Sequence, residues 1–280
     1  MPTQAASLDS RPPVSPTRDT GGLLTLAAGQ ADVWVAFVDE AFDALGARMD
    51  LDVMSPAEWE QHDRFVFEKD RRRYRITRLL VRCVLSRYVP VAPRDWVFGA
   101  TAFGRPFIAN DHPAAADLRF NLSHSDQVVM LAITHGMDVG IDVEDLGRRV
   151  PLDVAGSFFA ADEVRQLDAL PLAMKPRRFL DFWTLKESYI KARGKGLSLP
   201  LSQFAFDLER AGGLRLELDP RLQDTAGHWS FWAWQPSAHS LAALCLAVPA
   251  GTAAQIQGRR AIPFVSEEAM AFHIQRSSAT

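Results

Sequence analysis

Asp142 and Glu144 stand two residues apart in Gly140-Ile141-Asp142-Val143-Glu144, a run that alternates apolar residues with small or acidic ones. In a strand, this spacing sends both carboxylates out of one face while Val139, Ile141 and Val143 enter a core on the other. Downstream, Trp183-Thr184-Leu185-Lys186-Glu187-Ser188-Tyr189-Ile190-Lys191 sets one acid among lysines, and Lys195 follows in Gly194-Lys195-Gly196. Carboxylates side by side repel and need a cation to offset them. Oxygen donors without Cys or paired His suit Mg²⁺ or Mn²⁺. A flexible Gly-Lys-Gly loop lets backbone and ammonium approach an anion closely. Three carboxylates with several cations can therefore hold a divalent metal ion against a phosphate.

Each motif also has a plainer reading. Asp-x-Glu is common on solvent-facing sheet edges, and Glu187 with Lys191 at i+4 is an ordinary helical pair worth a few tenths of a kcal/mol. His124, in Asn121-Leu122-Ser123-His124-Ser125, also reads as a satisfied histidine at the start of a strand. A Ser–His hydrolase lacks its elbow, since no Gly-x-Ser-x-Gly is present. A zinc site from His124, His135 and Asp142 lacks a compact ligand motif.

The elements that must position these residues follow from periodicity. Residues 33–37 read as a strand, and Ser55-Pro56-Ala57-Glu58 opens a helix with Ser as N-cap, Pro at the first position and an acid at the third. Residues 69–88 form an amphipathic helix with Ile76, Leu79, Leu80, Cys83 and Val84 on one stripe. Its Arg71, Arg75, Arg78 and Arg82 face is either solvated or a dock for a coenzyme phosphate or an acidic partner. A strand begins at Phe98 and turns at Gly104-Arg105-Pro106, residues 128–133 form an apolar strand, and 135–138 read as a hairpin-like turn. Helices are expected around 162–170 and 178–193, then strands at 204–208, 214–218, 228–234 and 241–248, with a short helix from Ser266. The aromatic cluster of Trp229, Phe231, Trp232 and Trp234 reads as strand core. Both halves mix helices with antiparallel-looking strands, and no residue-level repeat is visible. The expected divisions are a disordered tail at 1–20, subdomains at 21–147 and 148–265, and a tail at 266–280.

With 280 residues, 48% of them apolar, the chain can build a large core or two smaller ones. A net charge of −3 argues against a nucleic-acid binder. The two cysteines, Cys83 and Cys245, lie far apart in apolar runs, as buried thiols of a reducing compartment would. No apolar run reaches the roughly 20 residues that span a membrane, and the N-terminal stretch has no apolar signal region. A cytoplasmic, membrane-free protein is the expectation.

In combination and order these motifs resemble the surfactin-type 4′-phosphopantetheinyl transferase family. The resemblance covers roughly residues 55–206 and rests on Gly104-Arg105-Pro106, Asn121-Leu122-Ser123-His124-Ser125, Gly140-Ile141-Asp142-Val143-Glu144, Phe158-Phe159 and the block from Trp183 to Leu201. It implies an α+β fold of two similar subdomains with pseudo-twofold symmetry, each a small antiparallel sheet packed with helices. It also implies coenzyme A at the seam, Mg²⁺, and a single monomeric chain. By that similarity Asp142, Glu144 and Glu187 match the metal-binding acids, with Glu187 also the candidate base. Ser123 and His124 match contacts to the 3′-phosphate region, and Arg105 and Pro106 a basic-Pro step near the adenine. Lys186, Lys191 and Lys195 match the cationic stretch, Lys191 facing the pyrophosphate. Family members often carry lysines in the helix after the Ser-Pro start, where this chain has Glu58, Gln61 and His62. Arg64, or an arginine among Arg71, Arg72 and Arg73, is the substitute. The implied reaction moves 4′-phosphopantetheine from coenzyme A to a serine of a fatty-acid, polyketide or nonribosomal-peptide carrier protein, leaving adenosine 3′,5′-bisphosphate. A Mg²⁺-dependent phosphodiesterase, a degenerate member that binds without turnover, and a nucleic-acid module supported by one arginine helix are the rivals.

Overall fold

A computed structural model describes residues 22–46, 53–209 and 213–278. The expected tail at 1–20 lies outside them. In chain order the elements are β1 (Gln30–Phe37), α1 (Val38–Leu45), α2 (Pro56–Asp63), α3 (Glu68–Leu85), β2 (Phe98–Ala100), β3 (Pro106–Ile108), β4 (Leu118–His124), β5 (Val128–His135) and β6 (Val139–Asp145). They continue with α4 (Ala155–Phe158), α5 (Ala161–Asp168), α6 (Lys175–Arg193), β7 (Phe204–Asp207), β8 (Arg215–Leu218), β9 (Trp229–Ser237), β10 (Ser240–Ala247), β11 (Gln255–Ile262), β12 (Ser266–Ala269) and β13 (Ile274–Ser277).

Strand alternation sorts these elements into four layers. Trp34, Ala36, Val129, Leu131 and Ile133 point from the first sheet (β12-β11-β1-β5-β4) toward α3. Val33, Val35, Met130 and Ala132 point the other way, against Ile141, Val143, Trp232, Trp234 and Leu244 of the second sheet (β13-β9-β10-β6). The far face of that sheet gives Phe231, Ala233, Ala243 and Cys245 to the core beneath α6, with Phe182, Leu185 and Tyr189. Period-2 patterning with both faces buried explains why these strands read as nearly continuous apolar runs.

The two halves repeat one order: strand, long helix, two-stranded hairpin, strand, strand. β1, α3, β2–β3, β4 and β5 in the first half correspond to β6, α6, β7–β8, β9 and β10 in the second. In each half the last strand lies antiparallel between the other two. The repeat is one of topology, so sequence comparison of the halves does not reveal it.

Hydrogen bonding departs from the expected divisions in three places. β6, placed with the first subdomain by the sequence reading, pairs with β10. The turn at 135–138 therefore carries the chain from one sheet to the other and closes no hairpin. β11 returns to the first sheet, parallel to β1. The helix expected from Ser266 is instead β12, paired with β11, and β13, paired with β9; ladder partners supplied by the rest of the fold override local propensity.

The arginine face of α3 is largely engaged within the fold. Arg78 and Arg82 close on Glu58 at 2.6 and 2.8 Å, Arg71 donates to the Phe65 carbonyl, and Arg75 lies over the Trp59 ring. Glu58 completes a capping box with Ser55, so the residue that starts α2 also binds it to α3. Burial alone would raise the Glu58 pKa, but Arg78, the Ser55 N–H and Arg82 outweigh it and hold the carboxyl below its ordinary value. A depressed carboxylate stabilises the fold above its unfolded pKa and loses that contribution as pH falls through the folded one. Glu58→Gln is expected to cost about 1–3 kcal/mol at neutral pH. In urea titrations the gap to wild type should close as pH drops below the ordinary glutamate range; a gap constant with pH would show that the ion pairs contribute nothing.

Candidate functional site at the seam of the two sheets

β4 and β6 are edge strands of different sheets, and they lie side by side. The outward N–H groups of β6 need partners other than a ladder. Asn121 Oδ1 accepts from the Ile141 N–H at 2.8 Å, and Ser123 Oγ accepts from the Val143 N–H at 3.3 Å. Side chains of one sheet thus stitch the edge of the other. This edge contact is the role of Asn121 in its motif.

Helix α6 crosses the far face of β6 at very short range. A Cβ on Gly140 would stand 1.9 Å from the Ser188 carbonyl oxygen and 2.4 Å from the Ala192 nitrogen, so only glycine permits the crossing. α6 ends at Gly194, whose φ of 64° suits the left-handed cap. Arg105, on the β2–β3 hairpin, donates to Ala192 O at 2.9 Å and Val139 O at 3.2 Å, joining that hairpin to both α6 and β6.

This crossing lays Glu187 and Lys191 over the acidic face of β6. Lys191 Nζ donates to Asp142 Oδ1 at 2.7 Å, to Ser123 Oγ at 3.0 Å and to Ile141 O at 3.0 Å. Ser123 Oγ donates to the same Asp142 oxygen at 3.0 Å. The other oxygen, Asp142 Oδ2, is buried and has no hydrogen-bond partner among the described residues. Glu144 pairs with Arg148. Desolvation, then the Asp142 and Glu144 charges, push the Glu187 pKa up to about 7, with Lys191 only partly opposing them. Desolvation and Asp142 raise Glu144 as well. The three carboxylates lie within electrostatic reach of one another. As they lie, no three His, Cys, Asp or Glu groups among the described residues form a finished metal site; Lys191 and Arg148 supply the positive charge instead.

The remaining expected residues divide. Glu187, Lys191, Arg105 and Pro106 line one cleft of about 250 Å³ with Phe103, Leu122 and Ile190. Arg105 and Pro106 also line a neighbouring cleft of about 320 Å³ with Arg119 and Asp138. Burial lowers the Arg105 pKa. Lys195 is exposed beside the cleft-lining Gly194 and Gly196. His124 follows Ser123 at the end of β4; desolvation and the Arg73 charge lower its pKa. His135 lies at the far end of β5, and His124 pairs with Val129, near the opposite end of that strand. A zinc site from His124, His135 and Asp142 is therefore not assembled.

One expected cation is out of reach of the site. Lys186 does not reach the site: it is 0% exposed, 2.7 Å from Glu163, and donates to the Leu201 and Phe204 carbonyls. One step along a helix turns a side chain by about 100°, so its neighbour Glu187 faces β6 while Lys186 faces α5 and β7. Arg64 caps α2 in solvent, paired with Glu60 at 2.6 Å. Arg73 is the arginine beside His124; with Lys69 it grips Asp126 in the β4–β5 turn at 2.8 and 3.0 Å. Lys69, Arg148 and Trp183 are the site-lining residues that motif reading left without a role.

The sequence is similar to that of known proteins along these segments. The model of the 4′-phosphopantetheinyl transferase superfamily matches residues 138–248, and that of the 4′-phosphopantetheinyl transferase N-terminal region matches 47–136. The two stretches meet just ahead of β6. The 4′-phosphopantetheinyl transferase HetI of Nostoc sp. is 31% identical over 226 residues, covering 80% of this chain and 90% of that protein. The 4′-phosphopantetheinyl transferase Sfp of Bacillus subtilis is 34% identical over 168 residues, covering 60% and 72%. The crystal structure of Thermotoga maritima holo-[acyl-carrier-protein] synthase overlaps 40% of this chain and 62% of that one at 23% identity and a TM-score of 0.32, an overlap too partial to bear on the site. The chain belongs to the 4′-phosphopantetheinyl transferase family. Among the described residues no helix is long and apolar enough to cross a membrane.

Proposed function

We propose that this chain transfers 4′-phosphopantetheine from coenzyme A to a serine hydroxyl of an acyl or peptidyl carrier protein, releasing adenosine 3′,5′-bisphosphate. The observation that carries this reading is the convergence of Asp142, Glu144, Glu187 and Lys191 on the β4–β6 seam, next to a cleft rimmed by Arg105 and Pro106.

The residues fit a hard divalent cation. The donors are all carboxylate oxygens, one of them buried without a partner among the described residues, and burial, then the charges of Asp142 and Glu144, raise the proton affinity of Glu187. Asp142, Glu144 and Glu187 would hold the ion, which when bound neutralises diphosphate charge and orients it for in-line displacement. The chain's own groups do the rest. Lys191, freed from Asp142, neutralises charge on the leaving phosphate. Glu187 takes the serine proton, directly or through a water. The serine oxygen forms a bond to the phosphorus carrying pantetheine, and the bond from that phosphorus to the bridging oxygen breaks. Lys69 and Arg73, which grip the Asp126 carboxylate beside His124, supply the cations for the nucleotide 3′-phosphate in place of the lysines missing from α2.

Incubation with coenzyme A, Mg²⁺ and an unmodified carrier should give a carrier heavier by one phosphopantetheine, detected by intact-mass spectrometry. Cleavage of coenzyme A in the absence of carrier would instead identify a phosphodiesterase. Binding without any mass gain would identify an inactive member.

A further inference from the structure

Glu144 is restrained differently from Asp142. Lys191 is committed to three acceptors, of which Asp142 is one. Arg148 pairs with Glu144 alone among the described residues. Arg148 does not belong to a helix; it sits in the turn after β6. That turn is fixed at both ends: the Leu146 N–H donates to His239 O at 2.8 Å and the Arg148 N–H to Asp145 O at 3.2 Å. The backbone is therefore held, and the Arg148 side chain is what can move. It is 39% exposed, against 17% for Glu144, so its exit is into solvent and disturbs no core. Trp183, stacked on Phe179, lies beside Glu144 and stays in place when the arginine leaves.

Resting on the reading of Asp142, Glu144 and Glu187 as the metal-holding acids, the geometry points to Arg148 as a built-in competitor for the divalent cation. In the metal-free chain its guanidinium covers Glu144, offsets part of the repulsion among the carboxylates, and must swing outward before Glu144 can turn onto an ion. Arg148 therefore sets how much divalent metal the site needs. It does so without touching substrate, which makes it a positioning residue.

The test is a Mn²⁺ titration of the full chain without coenzyme A, read from the loss of the free-ion signal in electron paramagnetic resonance. Arg148→Ala should bind Mn²⁺ about threefold to fivefold more tightly than wild type, the effect expected from removing one partly exposed competing ion pair. Arg148→Lys, which keeps the charge, should fall between the two. Unchanged or weaker binding by Arg148→Ala would overturn the proposal while leaving the metal reading intact. The Asp142→Ala control separates the two claims: if it binds Mn²⁺ as wild type does, the carboxylates are not the metal site and the inference fails with that reading.

Discussion

Glu187→Gln is expected to slow carrier modification by about 10²–10⁴-fold while making the metal-free protein more resistant to heat. The first effect follows from the proposed roles of Glu187, since a proton acceptor and a metal-holding oxygen would be lost at once. The second follows from linkage. A glutamate raised from 4.5 to about 7 in the fold destabilises the native state progressively as pH rises through that window, because the unfolded chain ionises it more easily. Glutamine carries no such cost. The variant should therefore match wild type near pH 4.5 and exceed it above pH 7, by a Tm shift on the order of a few degrees, with no divalent ion present. Loss of activity accompanied by loss of stability would indicate a structural glutamate, and retained activity would remove Glu187 from the chemistry.

Lys186→Met is expected to show the opposite pattern. Lys186 and Glu163 are both fully buried, and burial pushes the lysine pKa down and the glutamate pKa up. Their attraction offsets that cost only while both are present. Removing the lysine leaves Glu163 in an apolar pocket and two carbonyls without their donor, a loss of about 3–5 kcal/mol. Adding Glu163→Gln should recover part of it, since it removes the unpaired buried charge, although its single amide oxygen can accept from only one of the Ala160 and Phe206 N–H groups that the two Glu163 oxygens now satisfy. Urea denaturation of the two variants measures this. If Lys186→Met instead keeps wild-type stability and raises KM for coenzyme A, then Lys186 is the cofactor cation that its motif suggests.

These two residues, adjacent in sequence, show what can be read without coordinates. The alternation at 139–144 was legible because strand geometry alone fixes which side chains share a face. Glu187 and Lys191 were legible as a helical pair, and the order of the motifs identified the family. Lys186 was not legible as a buried ion, because nothing local reveals that Glu163 would arrive from α5. The same holds for the arginines of α3, which look solvent-facing until Glu58 is folded against them. Gly140 belongs to a legible motif, but nothing local reveals that the approach of α6 to β6 depends on it. Arg148 stands four residues after Glu144, but in a turn, where helical pair rules do not apply. Local periodicity predicted most helices and strands, while contacts between distant segments decided sheet membership, hence the misplacement of β6 and of the chain's end.

Crystals grown with coenzyme A and Mn²⁺, measured at the manganese absorption edge, test the central claim most directly. A single anomalous peak is expected at the β4–β6 seam, about 2.0–2.6 Å from oxygens of Asp142, Glu144 and Glu187, with the coenzyme diphosphate beside it and Lys191 turned away from Asp142. A peak outside the reach of these carboxylates, with Lys191 still bonded to Asp142, would contradict it.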